Sequence, residues 1–225
     1  MCGRFSLGLS RRDIEEEFGV SLPEGFRPRY NIAPTQEVFA LIEDGQGRRL
    51  ERFRWGLVPA WASDPQRGNK LINARAETLF AKPSFRDAAR RRRCLILADG
   101  FYEWQKLPDG RKIPVYVRLR SRKPFGMAGV WERWEGPNGQ VLKTCAVVTT
   151  EANELLRPIH DRMPVIVPPK LRDLWLDSHV HRALELAPVL KPYPAEELEC
   201  YPVARWVNRA DYDSPACIAP LRRAR

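Results

Sequence analysis

Histidine is scarce in this chain, three in 225 residues, and the five cysteines are odd in number, widely spread and never arranged as C-x-x-C. That spacing argues against a zinc site and against a disulfide framework, so no metal is expected. No apolar run approaches the ~18 residues that a membrane span needs, and the start lacks a basic segment leading into an apolar stretch. A cytoplasmic protein with no membrane partner is therefore expected, in a reducing compartment that suits unpaired thiols. There is no internal repeat, no low-complexity tract and no Gly-rich phosphate loop. Gly45-Gln46-Gly47 lies between two strand-like runs, which is the wrong context for a dinucleotide fingerprint. No cofactor is expected.

What is present is positive charge. Lys and Arg outnumber Asp and Glu by 38 to 28, giving a net charge of +10 and a pI near 9.7, a balance that favours a polyanionic partner such as nucleic acid. A length of 225 residues with 44% hydrophobic content suits one domain with a sizeable core. Twenty prolines and closely spaced hairpin signals point to an α+β protein, a single domain with a mainly antiparallel β core and short peripheral helices. Strands are predicted at 37–43 and 48–55 around Asp44-Gly45-Gln46-Gly47, and at 94–98, 113–119, 125–134, 141–150, 165–167 and 198–203. Helices are predicted from Ser10 to Gly19, from Ser84 into Arg90 to Arg93, around 153–156, from Pro169 to Trp175, and around 181–187. The two prolines of 27–35 predict an ordered loop there. The four arginines 90–93 predict a solvated helix end that complements the macrodipole. An irregular tail closes the chain at Arg222-Arg223-Ala224-Arg225.

The first residues, Met1-Cys2-Gly3-Arg4-Phe5, carry a chemical possibility. A small second residue permits removal of Met1, which would leave Cys2 with a free α-amine beside its thiol. Their ordinary pKa values, about 7.7–8.0 and about 8.5, leave both nucleophiles partly available at neutral pH. An aldehyde can condense with the amine to an imine and lose water. The thiol then adds across the C=N bond and closes a five-membered thiazolidine. The competing reading is a small apolar residue in a first strand. Glu103 interrupts an apolar run between Tyr102 and Trp104. Desolvation there would raise its pKa toward neutrality, and the competing reading is a carboxylate paired with arginine. His160 has an ordinary pKa suited to proton transfer, although a lone histidine is also a common structural residue.

Six segments then occur in order: Met1-Cys2-Gly3-Arg4-Phe5, Tyr30-Asn31-Ile32-Ala33-Pro34, Trp55-Gly56-Leu57-Val58-Pro59, 72–78 (Ile-Asn-Ala-Arg-Ala-Glu-Thr), 98–104 (Ala-Asp-Gly-Phe-Tyr-Glu-Trp) and 159–164 (Ile-His-Asp-Arg-Met-Pro). Together they resemble the SRAP family, the SOS-response-associated peptidase or abasic-site processing proteins. The likeness is clearest over 2–167 and less distinct over 204–225, and it implies one such domain across 1–225. It implies capture of abasic sites in single-stranded DNA as a covalent crosslink through Cys2, with lyase-like and peptidase-like activity, by a monomer. The same resemblance selects Glu103 as the acid that opens the closed sugar, His160 as the group assisting the imine step, and Asn73 as a hydrogen-bonding partner of the Cys2 amine or the opened sugar. Asn73 read alone is equally a helix N-cap. Arg4 and Arg75 are expected to hold flanking phosphates and to favour the Cys2 thiolate, and Arg162 to act similarly or to pair with Asp161. Pro34, Trp61 and Trp104 are candidates for contacts with unstacked bases, against core packing as the ordinary alternative. Where the family pattern carries a paired Trp-Trp, this chain has Trp61-Ala62 followed by an insertion-like 64–69, which weakens the expectation of a strand-separating wedge.

Three other readings compete. A class II glutamine amidotransferase also begins Cys-Gly, but leaves the basic charge and the later motifs unexplained, and should release ammonia from glutamine. A thiol peptidase accounts for Cys2 alone. A noncatalytic single-strand-binding module needs only charge and aromatics, and predicts that Cys2→Ala changes nothing. The identity of any replication-fork partner is not legible.

Overall fold

The computed structural model describes residues 2–221; Met1 and the basic run at 222–225 lie outside the described residues. In chain order its strands are β1 (Phe5–Leu7), β2 (Arg29–Ile32), β3 (Glu37–Asp44), β4 (Gly47–Trp55), β5 (Asn73–Arg75), β6 (Arg93–Ala98), β7 (Gly100–Lys106), β8 (Lys112–Leu119), β9 (Phe125–Glu135), β10 (Val141–Glu151), β11 (Arg162–Pro164), β12 (Ile166–Val167) and β13 (Leu198–Pro202). The α-helices are α1 (Arg11–Phe18), α2 (Arg86–Arg91), α3 (Arg172–Leu176) and α4 (Ala183–Leu186), with short 3-10 turns between elements.

Local chemistry explains the first helix. Ser10 caps α1 by accepting from the Asp13 N–H, Ile14 and Phe18 face inward, and Gly19 ends the helix at φ 64°, a left-handed conformation that glycine adopts at little cost. The β3–β4 hairpin pairs Asp44 with Gly47 across its turn. From there β4 pairs with β10, β3 with β6, β6 with β9 and β9 with β10, so five strands close on themselves as a barrel. Closure is tight: a Cβ on Gly129 would meet the Cys94 sulfur at 2.8 Å and Ile96 at 2.9 Å, so any larger residue there must displace those side chains. Residues 94–98 of β6 are all buried, as their continuous apolar run predicts. The ladders are antiparallel apart from the parallel pairs of β10 with β4 and β5.

A second sheet, ordered β13-β8-β7-β1-β2, is joined to the barrel through Asp99, the single residue between β6 and β7. Its β1–β7 register is pinned by that residue. Asp99 accepts from Ser6 Oγ at 2.5 Å, from the Gly8 N–H at 2.6 Å and from the Leu9 N–H at 2.8 Å. No helix among the described residues is long and apolar enough to cross a membrane.

Several local expectations give way to tertiary context. The 27–35 segment is not all loop, because 29–32 pairs with β1 as β2. Ser84 does not cap α2, whose N-cap is Phe85 with no side-chain hydrogen bond. Residues 153–156 form turns rather than a helix. Arg93 leaves the expected solvated arginine run: it is buried on β6 and donates to the carbonyls of Trp175 at 2.6 Å, Ala89 at 2.7 Å, Arg90 at 3.1 Å and Asp177. Asn73 is no N-cap; it begins β5.

Candidate active site at the amino terminus

The site forms where β10 outgrows the barrel. Residues 141–147 pair with β9 inside the closed ring, while 147–149 run beside β5 and 149–151 beside β11. On β5, Ala74 is fully buried, and the period-two alternation of a strand puts Asn73 and Arg75 together on the other face. On the second sheet, Phe5 lies opposite Phe101 and the Tyr102 N–H donates to the Arg4 carbonyl at 3.0 Å. Continuing that register sets Gly3 across from Glu103 and brings Cys2 up to Asn73 of β5.

Cys2 is fully buried there. Asn73 Nδ2 donates to the Cys2 carbonyl at 2.8 Å, while Asn73 Oδ1 is buried with no hydrogen-bond partner among the described residues. Burial raises the Cys2 thiol pKa, and the nearby Glu103 charge raises it further. Arg4 opposes that rise through its backbone N–H. Glu103 is 2% exposed, and burial pushes its pKa up to about 7, with Asp161 adding to the rise. A carboxyl so placed holds a proton near neutrality, as a group that trades protons with a sugar oxygen must.

His160 sits at the end of the turn that links β10 to β11. The Ala152 N–H donates to the Asp161 carbonyl at 3.0 Å, closing the base of this turn, and the His160 N–H donates to the Leu156 carbonyl at 2.9 Å. The His160 Nδ1 atom accepts from the Arg162 N–H at 3.0 Å and lies 2.8 Å from Asp161 Oδ1. One nitrogen cannot accept from an amide and donate to a carboxylate at once. Burial lowers the His160 pKa, and the Asp161 side chain is 84% exposed, so the neutral ring with its proton on Nε2 satisfies the amide contact.

Cys2, Asn73, Glu103 and the 160–162 turn thus converge, and the DNA-contact candidates spread around them. Arg75 is exposed beside Asn73. Arg162 pairs with Glu77 rather than Asp161: its two terminal nitrogens reach the Glu77 carboxylate at 2.7 and 2.9 Å, and one also donates to the Thr149 carbonyl at 2.7 Å. Arg4 is turned inward, donating to Asn31 Oδ1 at 2.7 Å and the Val207 carbonyl at 2.6 Å. Trp104 is partly buried on the opposite face of β7 from Glu103, with its indole N–H on Asn208 Oδ1 at 2.8 Å. Pro34 is half-buried in the turn after β2. Trp61 is 54% exposed with the Arg67 guanidinium 4.7 Å over its ring, at the wall of a cleft shared with Gln66, Asn69 and Lys70. Its neighbour Ala62 is buried, and the Ala62 carbonyl accepts from Trp134 Nε1 at 2.7 Å. Position 62 thus faces a small apolar cluster with Val58 and Trp134 rather than solvent.

Sequence reading missed Glu77 as the clamp on Arg162 and Asp99 as the pin on β1. Glu77 sits only two residues after Arg75, but its partner is 85 residues away. Among the described residues no group of three or more His, Cys, Asp or Glu side chains is placed to hold a metal ion.

Residues 1–210 match the family model described as SOS response associated peptidase (SRAP). The abasic site processing protein YoqW of Bacillus subtilis is 46% identical over 221 residues, covering 97% of this chain and 99% of that protein. The abasic site processing protein HMCES of Gallus gallus is 31% identical over 265 residues, covering 98% and 78%. A crystal structure of a Bacteroides thetaiotaomicron protein superposes with a TM-score of 0.87 at 25% identity, covering 98% of this chain and all of that one.

Proposed function

This chain belongs to the SOS response associated peptidase family, and from that premise we propose that it captures abasic sites in single-stranded DNA through Cys2 once Met1 has been removed. The observations that support the reading are a buried Cys2 tied to Asn73, a buried Glu103 whose charge acts on the Cys2 thiol, and a partly exposed His160 next to Asp161, whose charge acts on Glu103. Asn73 holds the Cys2 backbone, Glu103 is a carboxyl titrating near 7, and the neutral His160 stands on the adjoining turn.

An abasic deoxyribose is mostly a closed hemiacetal. Protonated Glu103 donates to the ring oxygen as the anomeric hydroxyl loses its proton, and the aldehyde is released. The Cys2 amine adds to the carbonyl carbon, water leaves, and an imine remains. The thiol sulfur then bonds to that carbon while its proton passes to nitrogen, giving the thiazolidine. A thiol held neutral by burial keeps the proton that this last step requires and is less exposed to oxidation. An imine that escapes the thiol is set for loss of a C2′ proton and cleavage of the C3′–O bond, a lyase outcome. Peptidase-type chemistry is confined, on this reading, to self-removal of an N-terminal residue and release of the crosslink. His160 assists proton transfer in the imine step, the exposed Arg75 holds a flanking phosphate, and Arg162, clamped by Glu77, braces the turn that carries His160. The protein acts as a cytoplasmic monomer without metal or cofactor.

The test is a denaturing gel with an oligonucleotide carrying one abasic site. Wild type should give a covalent band, and mass spectrometry should place it on a mature Cys2. Cys2→Ala should abolish the band, and Cys2→Ser should give no adduct stable to denaturation. Equal yields from wild type and Cys2→Ala refute the mechanism.

A further inference from the structure

On the face of the second sheet turned away from Glu103 lies a separate apolar cluster of Tyr102, Tyr116, Val203, Val207 and Cys217. The C-terminal segment crosses it as a 3-10 turn, Arg205–Asn208. This turn is tied to the elements that build the candidate site. The Val207 carbonyl accepts from Arg4, two residues after Cys2, and Asn208 accepts from Trp104, one residue after Glu103. Asn31 Nδ2 holds the following stretch through the carbonyls of Arg209 at 2.8 Å and Tyr212 at 2.6 Å.

Burying Val207 completely turns its neighbour Trp206 outward, 54% exposed. The ring is still held: Tyr212 packs beside it with centroids 5.7 Å apart at 35°. Arg205 is exposed next to it and makes no side-chain hydrogen bond or ion pair among the described residues, whereas Arg209 is paired with Asp211 at 2.8 Å. A large indole fixed in solvent beside an uncommitted guanidinium suits a flat, anionic partner rather than the fold's own core.

We infer that Trp206 and Arg205 form a platform for the DNA strand on one side of the lesion, Trp206 stacking on an unpaired base and Arg205 meeting its phosphate. This rests on the single-stranded DNA reading above. Continuity through Arg4 and Trp104 and the net charge of +10 favour a nucleotide strand over an apolar protein segment.

The experiment measures noncovalent affinity by fluorescence anisotropy for an oligonucleotide bearing a tetrahydrofuran abasic analogue, which has no aldehyde and so bypasses the Cys2 chemistry. Trp206→Ala should weaken binding about tenfold, the size of one base–aromatic stack, and Trp206→Phe should recover most of it. Trimming the DNA flank on one side, but not the other, should weaken wild type by a similar factor and remove the difference between wild type and Trp206→Ala. A loss that is the same on full and trimmed oligonucleotides, no loss at all, or a changed oligomeric state in place of a changed affinity overturns the platform. Should wild type fail to crosslink a natural abasic site while the Trp206 dependence persists, the covalent mechanism falls and the platform stands.

Discussion

Replacing Glu103 by glutamine tests the candidate site through stability as well as rate. The amide keeps the shape of the carboxyl but cannot ionise. In the native protein burial moves this group from its ordinary 4.5 to about 7, a displacement equivalent to about 3 kcal/mol at ~1.4 kcal/mol per pH unit. The native state therefore holds the proton more tightly than the unfolded chain. Between those two values it carries the larger number of protons, and stability falls as pH rises. Below about pH 4 the carboxyl is protonated in both states and this contribution is fully present; above about pH 7 it is lost. Urea unfolding of wild type and Glu103→Gln at about pH 4 and about pH 8 should show the variant gaining up to about 3 kcal/mol relative to wild type over that interval. In the crosslinking assay the same variant should be slower by about 10²- to 10⁴-fold, the range for loss of a general acid–base, and the inflection near neutral pH in the wild-type rate should vanish. Parallel stability curves for the two proteins across the pH interval would refute the account of a buried, neutral-leaning carboxyl.

His160→Ala should slow single-turnover crosslinking by about 10²-fold while leaving noncovalent DNA affinity within about twofold. Because burial lowers the His160 pKa, its contribution in wild type should persist below the ordinary histidine value of 6.5, which a pH series of crosslinking rates reads directly. Asn73→Ala removes the donor on the Cys2 carbonyl and should cost about 1 kcal/mol in thermal unfolding. It should also lower crosslinking by more than that stability loss explains, and equal crosslinking rates for wild type and variant would remove Asn73 from the site.

What could be read from the sequence was what local chemistry determines. Ser10 and Gly19 bound α1 through contacts within a few residues, and the run 94–98 is buried throughout, as uninterrupted apolar strands are. Glu103 stood out because a charge broke that kind of pattern, and the fold keeps it buried. The failures have distant causes. Asn73 read alone is as much a cap as a site residue until β10, more than 70 residues later, pairs with it as a strand. Arg93 belongs to a basic run in sequence, but carbonyls from α2 and α3 surround it. The inward hold on Arg4 gave no local sign, because its acceptor, the Val207 carbonyl, lies 203 positions away. Barrel closure through β9 and β10 carries no local signature either.

The placement of β1 has a mechanical side. It is not an edge strand: β2 pairs along one side of it and β7 along the other, and Asp99 fastens its far end through Ser6, Gly8 and Leu9. If DNA is attached at Cys2, tension on that DNA reaches the protein at the head of this strand. A pull along the strand loads hydrogen bonds on both sides together, in shear, instead of unzipping a free margin one bond at a time. The attachment point is then held from both sides and at its far end, and drawing the first strand out of its sheet requires breaking its bonds to β2, β7 and Asp99 together.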